Sequence, residues 1–286
     1  MIETRFTYRE VKLKQKHDLD TKVAVYNISR RFSTPSTWIF ANLGISPNAI
    51  TISSFFLCII GFYFLSLGNY IYLIFGLLFF ILFRIFDTSD GEVARLQNKI
   101  SIEGIYFDRI SHYLYTCCLG IGLGFGMYRL YMNDIYINLG FLFALVLVLE
   151  NSIKDLLRFY LIERFPKKSN RFFSLSKTYS YIQEQLNKRI YSGHQWEKGN
   201  IISKLVGILP FQGIAYSDAH APPILIVLAI FEYLLSIFFG FPFKYNIIGI
   251  VPVYILIVTI SKIIWIVWFI YRIEKYRYIT TTLNKV

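Results

Sequence analysis

Six apolar runs, each near the ~20 residues that a bilayer-spanning helix requires, constrain this sequence more than anything else in it. They lie at roughly 49–67, 70–87, 105–128, 135–157, 223–241 and 246–271. Hydrocarbon offers no partner to a backbone N–H or C=O, so runs of this length must close their own hydrogen bonds as helices. The expected fold class is therefore all-α: a polytopic membrane protein with about six transmembrane helices, read as one membrane-embedded domain over 1–286. Composition agrees, since 55% of the 286 residues are hydrophobic and 19% aromatic, more than a soluble domain of this length carries. Cys58, Cys117 and Cys118 all fall inside apolar runs and read as small buried hydrophobes, not as a disulfide frame.

The formal net charge of +12 suits a protein that borders anionic head groups or handles phosphate. The basic residues flank the apolar runs and no nucleic-acid motif is present, so no nucleic-acid partner is expected. Their distribution predicts orientation. The first 47 residues, the long connection between spans four and five, and the tail are rich in Lys and Arg, whereas the alternate connections are short. Both termini, and the loop joining spans two and three, are expected on the cytoplasmic side of an integral membrane protein. The stretch MIETRFTYREVKLKQKHDLD is charged and lacks the apolar core of a cleavable signal peptide. Within the arm at 1–47, residues 23–44 mix apolar and basic side chains and predict a helix lying in the membrane interface. The connection at 160–222 is too long for a plain loop, and its middle, SLSKTYSYIQEQLNKRIYSG, predicts an amphipathic cytoplasmic helix.

Between spans two and three lies FDTSDGEVARLQNKISIEGIYFDRISH, residues 86–112, which puts charge where hydrocarbon begins. Intramembrane charge is expensive and marks a functional site by default. Asp87 and Asp90 are three apart, Gly91 is four after Asp87, and Asp108 and His112 are four apart, so each set shares a helix face. A short connection would bring the two faces together as three carboxylates and one imidazole. Such a cluster needs a compensating cation, and hard oxygen donors suit Mg²⁺ or Mn²⁺ shared with substrate phosphates. Gly91 and Ala94 leave room beside the helix, and Arg95 offers a phosphate its planar fork of donors.

Asp87-x2-Asp90-Gly91-x2-Ala94-Arg95-x8-Gly104-x3-Asp108-x3-His112 resembles the signature of the CDP-alcohol phosphatidyltransferase family, D-x2-D-G-x2-A-R-x8-G-x3-D-x3-D, at seven of its eight fixed positions. The segment GISPNAIT, around Pro47, Asn48 and Thr51, resembles the start of that family's first span. The resemblance implies transfer of a substituted phosphate from a CDP-linked donor, such as CDP-diacylglycerol, to an acceptor hydroxyl with release of CMP. It implies Asp87, Asp90 and Asp108 as metal ligands, and Gly91, Ala94, Arg95 and Gly104 around the cytidine diphosphate. At least one substrate would be a lipid, and a homodimer is the default expectation. The fourth acidic position, which the family uses as the base, holds His112. An imidazole there would keep the basic role, being suited to general-base work at neutral pH and also able to ligand metal. The histidine would otherwise mark a changed acceptor, or an inactive relative that binds nucleotide or serves as a scaffold.

Other polar groups have plainer readings. Lys154 and Arg158, with Ser152 nearby at the end of span four, would line an acceptor or phosphate pocket, or else form an internal ion pair with snorkelling cations. His220, before span five, would reach the site entrance, while Asp218 reads as a helix cap. Arg84, one turn before Asp87, would pair with Asp87 or Asp90 instead of touching substrate.

Overall fold

Short polar signals set where the helices begin. Ser46 precedes Pro47, and its hydroxyl accepts the Ala49 N–H, so Pro47 opens a helix at the position where its missing N–H costs nothing. Asn69 accepts from Ile71 N in the same way, and Ser101 from Gly104 N at 3.0 Å. The computed structural model describes residues 6–14, 24–164, 221–238 and 249–276. Among these it contains eight helices and no strand. They are α1 (Tyr8–Lys14), α2 (Ala24–Asn42), α3 (Pro47–Ser66), α4 (Tyr70–Leu96), α5 (Ile102–Tyr131), α6 (Ile135–Arg164), α7 (Ala221–Phe238) and α8 (Ile250–Tyr276).

Four of them are long and apolar enough to cross a membrane, over Pro47–Ser66, Tyr70–Leu96, Ile135–Ile153 and Ile250–Val267. The expected spans at 105–128 and 223–241 are helical in their described residues as α5 and α7, outside that set; α7 has a shorter apolar stretch, Ala221–Ile237. Helix α4 is about 40 Å long at 1.5 Å per residue, longer than the hydrocarbon core, so one helix carries both a span and the charged motif beyond it. The expected cytoplasmic helix in the 160–222 connection lies outside the described residues.

The chain divides into two compact units. The first comprises residues 1–148 and 213–263. Its main core joins α3, α4, α5, α6, α7 and α8 through buried side chains such as Leu65, Phe80, Tyr115, Phe143, Leu225 and Ile255. Tyr115 packs edge-on against Phe80 and stacks on Phe83, with ring centroids 5.4 and 4.9 Å away. Small residues let backbones approach in place of a hydrophobic driving force, which lipid does not supply between helices. A Cβ on Gly120 of α5 would sit 2.7 Å from the Ala144 Cβ of α6, and one on Gly140 would overlap Gly124. The α3–α4 turn runs through Gly68 at φ +73°, where an added Cβ would collide with Arg129. Arg129 in turn donates to the Ser66 carbonyl at 2.8 Å.

A second cluster lies behind the motif end of α4. Val11, Ala41, Ile50, Val93 and Leu96 are buried together, with Phe6, Trp38 and Phe86 packed around them. Thr7 caps α1, its backbone N–H and hydroxyl donating to Glu10 Oε2 at 2.7 and 2.9 Å, which lowers the Glu10 pKa from the usual glutamate value. The 23–44 segment expected to be helical holds α2, which buries Ser33, Thr37 and Ala41 and exposes Phe32 and Ile39.

The second unit comprises residues 149–212 and 264–286, of which 149–164 and 264–276 are described. Glu150 and Asp155 are buried in it, and Ser152 is half-buried.

Candidate active site

The last two turns of α4 and the first three of α5 are antiparallel neighbours joined by residues 97–101. Asn98 takes a positive φ of 53° in that connection, a conformation asparagine tolerates better than most residues. Ser101 then starts α5, so Asp108 and His112 occupy its second and third turns and share a face. Opposite them on α4 stands Asp87. His112 Nε2 lies 3.6 Å from Asp87 Oδ1 and 3.8 Å from Asp108 Oδ1. One donor atom from each of Asp87, Asp108 and His112 fits within a 4.8 Å span, the only such group of ligand-type side chains among the described residues.

The remaining carboxylate, Asp90, faces another way. Residues three apart on a helix are offset by about 60°, and that rotation turns Asp90 toward α3. Thr51 Oγ1 donates to its Oδ2 at 2.5 Å, and Asp90 is buried. Arg84, one turn earlier on α4, donates from Nη1 to Asp87 Oδ2 at 3.2 Å, the pairing that its position predicts. Arg109 Nη2 is 4.0 Å from Asp108 Oδ2.

These residues suit a divalent cation. Asp87 has only 8% of its side chain exposed. Its Oδ1 is buried and accepts no hydrogen bond, which is costly unless something else meets it. Carboxylate oxygens and an imidazole nitrogen are the donors that Mg²⁺ and first-row divalent ions accept.

The positions expected around a nucleotide lie close by. A Cβ on Gly91 would meet only Arg95 Nη1, at 3.4 Å, so packing does not demand glycine there and that face of α4 keeps free space. Gly104 is tighter, since its Cβ would meet Asn48 Oδ1 and Ser101 Oγ, each at 3.3 Å. Glycine thus lets the start of α5 approach the start of α3. Ala94 is half-buried on α4. Ser152 belongs to the second unit. His220 and the side chains of Lys154 and Arg158 lie outside the described residues.

Sequence reading missed several partners. Glu92, inside the motif but without a role in it, is buried and accepts from Thr37 Oγ1 at 2.6 Å and Ser33 Oγ at 3.3 Å. Only its charge beside a membrane span could have singled it out. Glu232 of α7 is fully buried and accepts from the Tyr70 and Tyr131 hydroxyls and from Val251 N. A lone carboxylate in an apolar run was its signal, as a lone ammonium was for buried Lys262 of α8.

The apolar helices fit an integral membrane protein, and the acidic, histidine-bearing cluster at the end of α4 and the start of α5 could hold a metal ion. A model of the CDP-alcohol phosphatidyltransferase family matches residues 44–183, which take in α3, α4, α5 and the whole site. Among curated proteins, no sequence matches the chain significantly. Members of that family are membrane transferases of phospholipid synthesis, which move a phosphatidyl-type group from a CDP-alcohol and generally depend on a divalent metal.

Proposed function

We propose that this protein transfers a substituted phosphate from a CDP-alcohol, such as CDP-diacylglycerol, to the hydroxyl of an acceptor alcohol and releases CMP. The observation that carries this reading is the meeting of Asp87, Asp108 and His112 around a buried carboxylate oxygen that accepts no hydrogen bond, within the family-matched segment. Asp87 and Asp108 would hold Mg²⁺ or Mn²⁺, and Asp90, whose Oδ2 is taken by Thr51, would add its other oxygen. When bound, such a cation neutralises charge on the donor pyrophosphate. Gly91, Ala94, Arg95 and Gly104 would line the cytidine diphosphate pocket, with Arg95 presenting its fork of donors to phosphate.

His112 occupies the position of the family's base. Its side chain is 27% exposed, enough for an acceptor hydroxyl to approach, and its Nε2 lies beside the carboxylates. Neutral imidazole would take the hydroxyl proton at Nε2 as the oxygen attacks phosphorus, and the bond to the departing CMP breaks.

At least one substrate is a lipid in this reading, which accounts for a site at the end of a membrane span. Six spans, with both termini and the site on the cytoplasmic side, fit the placement of Lys and Arg. A homodimer is the expected assembly.

The test is CMP release by the purified protein in nanodiscs. CDP-diacylglycerol would be offered with a pool of alcohols and phosphoalcohols, then soluble CDP-alcohols with lipid acceptors, each with Mg²⁺ or Mn²⁺. Metal-dependent release that is lost in both Asp90→Ala and the less buried Asp108→Asn supports the proposal. Saturable CDP-diacylglycerol binding without CMP from any pairing would replace it with a nucleotide-binding scaffold.

A further inference from the structure

We infer that the outward face of α2 is a lipid-contact surface, fastened to the motif helix through Glu92, so that packing of the bilayer surface acts on the site. The lipid contact stands without the transferase reading above; its effect on turnover rests on that reading.

Helix α2 is amphipathic the wrong way round for a helix in water. Ser33 and Thr37 are fully buried, whereas Phe32 is 59% and Ile39 46% exposed. Phe32, Pro35 and Ile39 are exposed at spacings of three and four, so they form one stripe. Water makes an exposed apolar stripe costly, and the boundary between head groups and acyl chains accepts it.

The path of the chain brings lipid to that stripe. Helix α2 ends in a tight turn, with Ile45 N donating to the Phe40 carbonyl at 3.0 Å, Gly44 N to the Ala41 carbonyl at 3.2 Å, and Gly44 at φ +70°. Gln97 Nε2 braces the turn by donating to the Ile45 carbonyl at 3.2 Å. Asn42 is five residues before Pro47, where the apolar span of α3 begins, so the end of α2 lies within about 17 Å of it. Leu43, 60% exposed, carries the apolar surface on toward Ile52, Phe56, Ile59 and Tyr63, the outward side chains of that span. The bilayer that covers α3 therefore reaches α2.

The other face of α2 holds the motif. Thr37 Oγ1 donates to Glu92 Oε2 at 2.6 Å, Ser33 Oγ to Glu92 Oε1 at 3.3 Å, and Ser89 Oγ to the Ser33 carbonyl at 3.4 Å. Ser89 and Glu92 bracket Asp90 and Gly91 on α4, yet neither is a fixed position of the signature. The attachment is thus a property of this chain. A shift of α2 loads the turn of α4 that carries Asp90, whose Oδ2 accepts from Thr51.

The experiment has a contact arm and a turnover arm. p-Benzoylphenylalanine is installed at Phe32 or Ile39, the protein is irradiated in phosphatidylcholine nanodiscs, and the adducts are identified by mass spectrometry. CMP release is followed in fluid vesicles of unsaturated or saturated phosphatidylcholine, with and without added phosphatidylglycerol. Lipid adducts at both positions are expected, with faster release in the loosely packed unsaturated vesicles. Phe32→Ser combined with Ile39→Ser should lower release there by about fivefold, because lipid binding scales with the apolar area buried, and should melt in detergent as the native protein does. Glu92→Ala should lose the dependence on chain saturation, and Glu92→Gln, which keeps an acceptor oxygen, should retain most of it. Protein–protein adducts, or none at either position, would overturn the lipid contact. Native release from the double serine variant would overturn the link to the site. So would release that rises with phosphatidylglycerol but ignores saturation, which would assign the effect to charge near Arg30 and Arg31. Lipid adducts without CMP from any substrate pairing would overturn the transferase reading, and the effect on turnover with it, while upholding the contact.

Discussion

The two oxygens of Asp87 have different neighbours: Oδ2 is held by Arg84, while Oδ1 faces the His112 imidazole and accepts no hydrogen bond. At this scale the site depends on donors that fix carboxylates without consuming the oxygens that face the cluster. Thr51 is one, since its hydroxyl joins α3 to Asp90. Thr51→Val keeps the shape and removes the donor, leaving a buried carboxylate short of a hydrogen bond. A bond to a charged group contributes about 2 kcal/mol, so thermal unfolding in detergent should register a loss of that order. Metal-dependent CMP release should fall at least tenfold, and Thr51→Ser should recover most of both. Helical spacing places Asp87 and Asp90 near each other in the sequence reading, yet it does not say that one would face α5 and the other α3. That division depends on a rotation of about 60° between adjacent turns and on what packs alongside.

Helices α2 and α4 are held together by an inversion of the usual pattern. Helix α2 turns hydroxyls inward, to a buried carboxylate, and large apolar side chains outward. Ser33 and Thr37 both donate to Glu92, which sits two residues from Asp90 on the same helix, so hydrogen bonds tie α2 to the motif end of α4. Glu92→Ala should cost about 1–3 kcal/mol, the range for leaving buried donors unmet. Hydrogen exchange should then rise across 24–42 while α3 and the membrane part of α4 stay protected. If α2 stayed as protected as before, Glu92 would not be its anchor. Close approach governs the α5–α6 pair instead: Gly140→Leu would drive a branched side chain into Gly124, and the variant should unfold well below the native temperature in a detergent melt.

Across the first unit, Glu232 joins elements that the chain separates widely. It lies on α7, accepts from Tyr70 at the start of α4 and Tyr131 at the end of α5, and caps α8 through Val251 N. Tyr70 and Asp87 are about 25 Å apart along α4, so this carboxylate acts on the fold and not on the chemistry. Glu232→Ala leaves two phenols and one backbone N–H without their acceptor, and stability should drop by about 3 kcal/mol or more. CMP release at low temperature should stay within about twofold of native for the fraction that remains folded. An activity loss far exceeding the folded-fraction loss would place Glu232 in the reaction instead.

What the sequence by itself determined is helicity, the approximate limits of six apolar segments, and the residues of the motif. A bilayer leaves the backbone no other way to satisfy itself, and spacings of three and four report a helix face without any partner. Tertiary structure alone decided the partners: Thr51 with Asp90, Ser33 and Thr37 with Glu92, and Tyr70 and Tyr131 with Glu232, pairs 39 to 162 residues apart. Local periodicity fixes which side chains share a face of one helix. It leaves open how that helix is rotated against its neighbours, and the rotation sets which oxygen of each carboxylate is occupied and which faces the cluster.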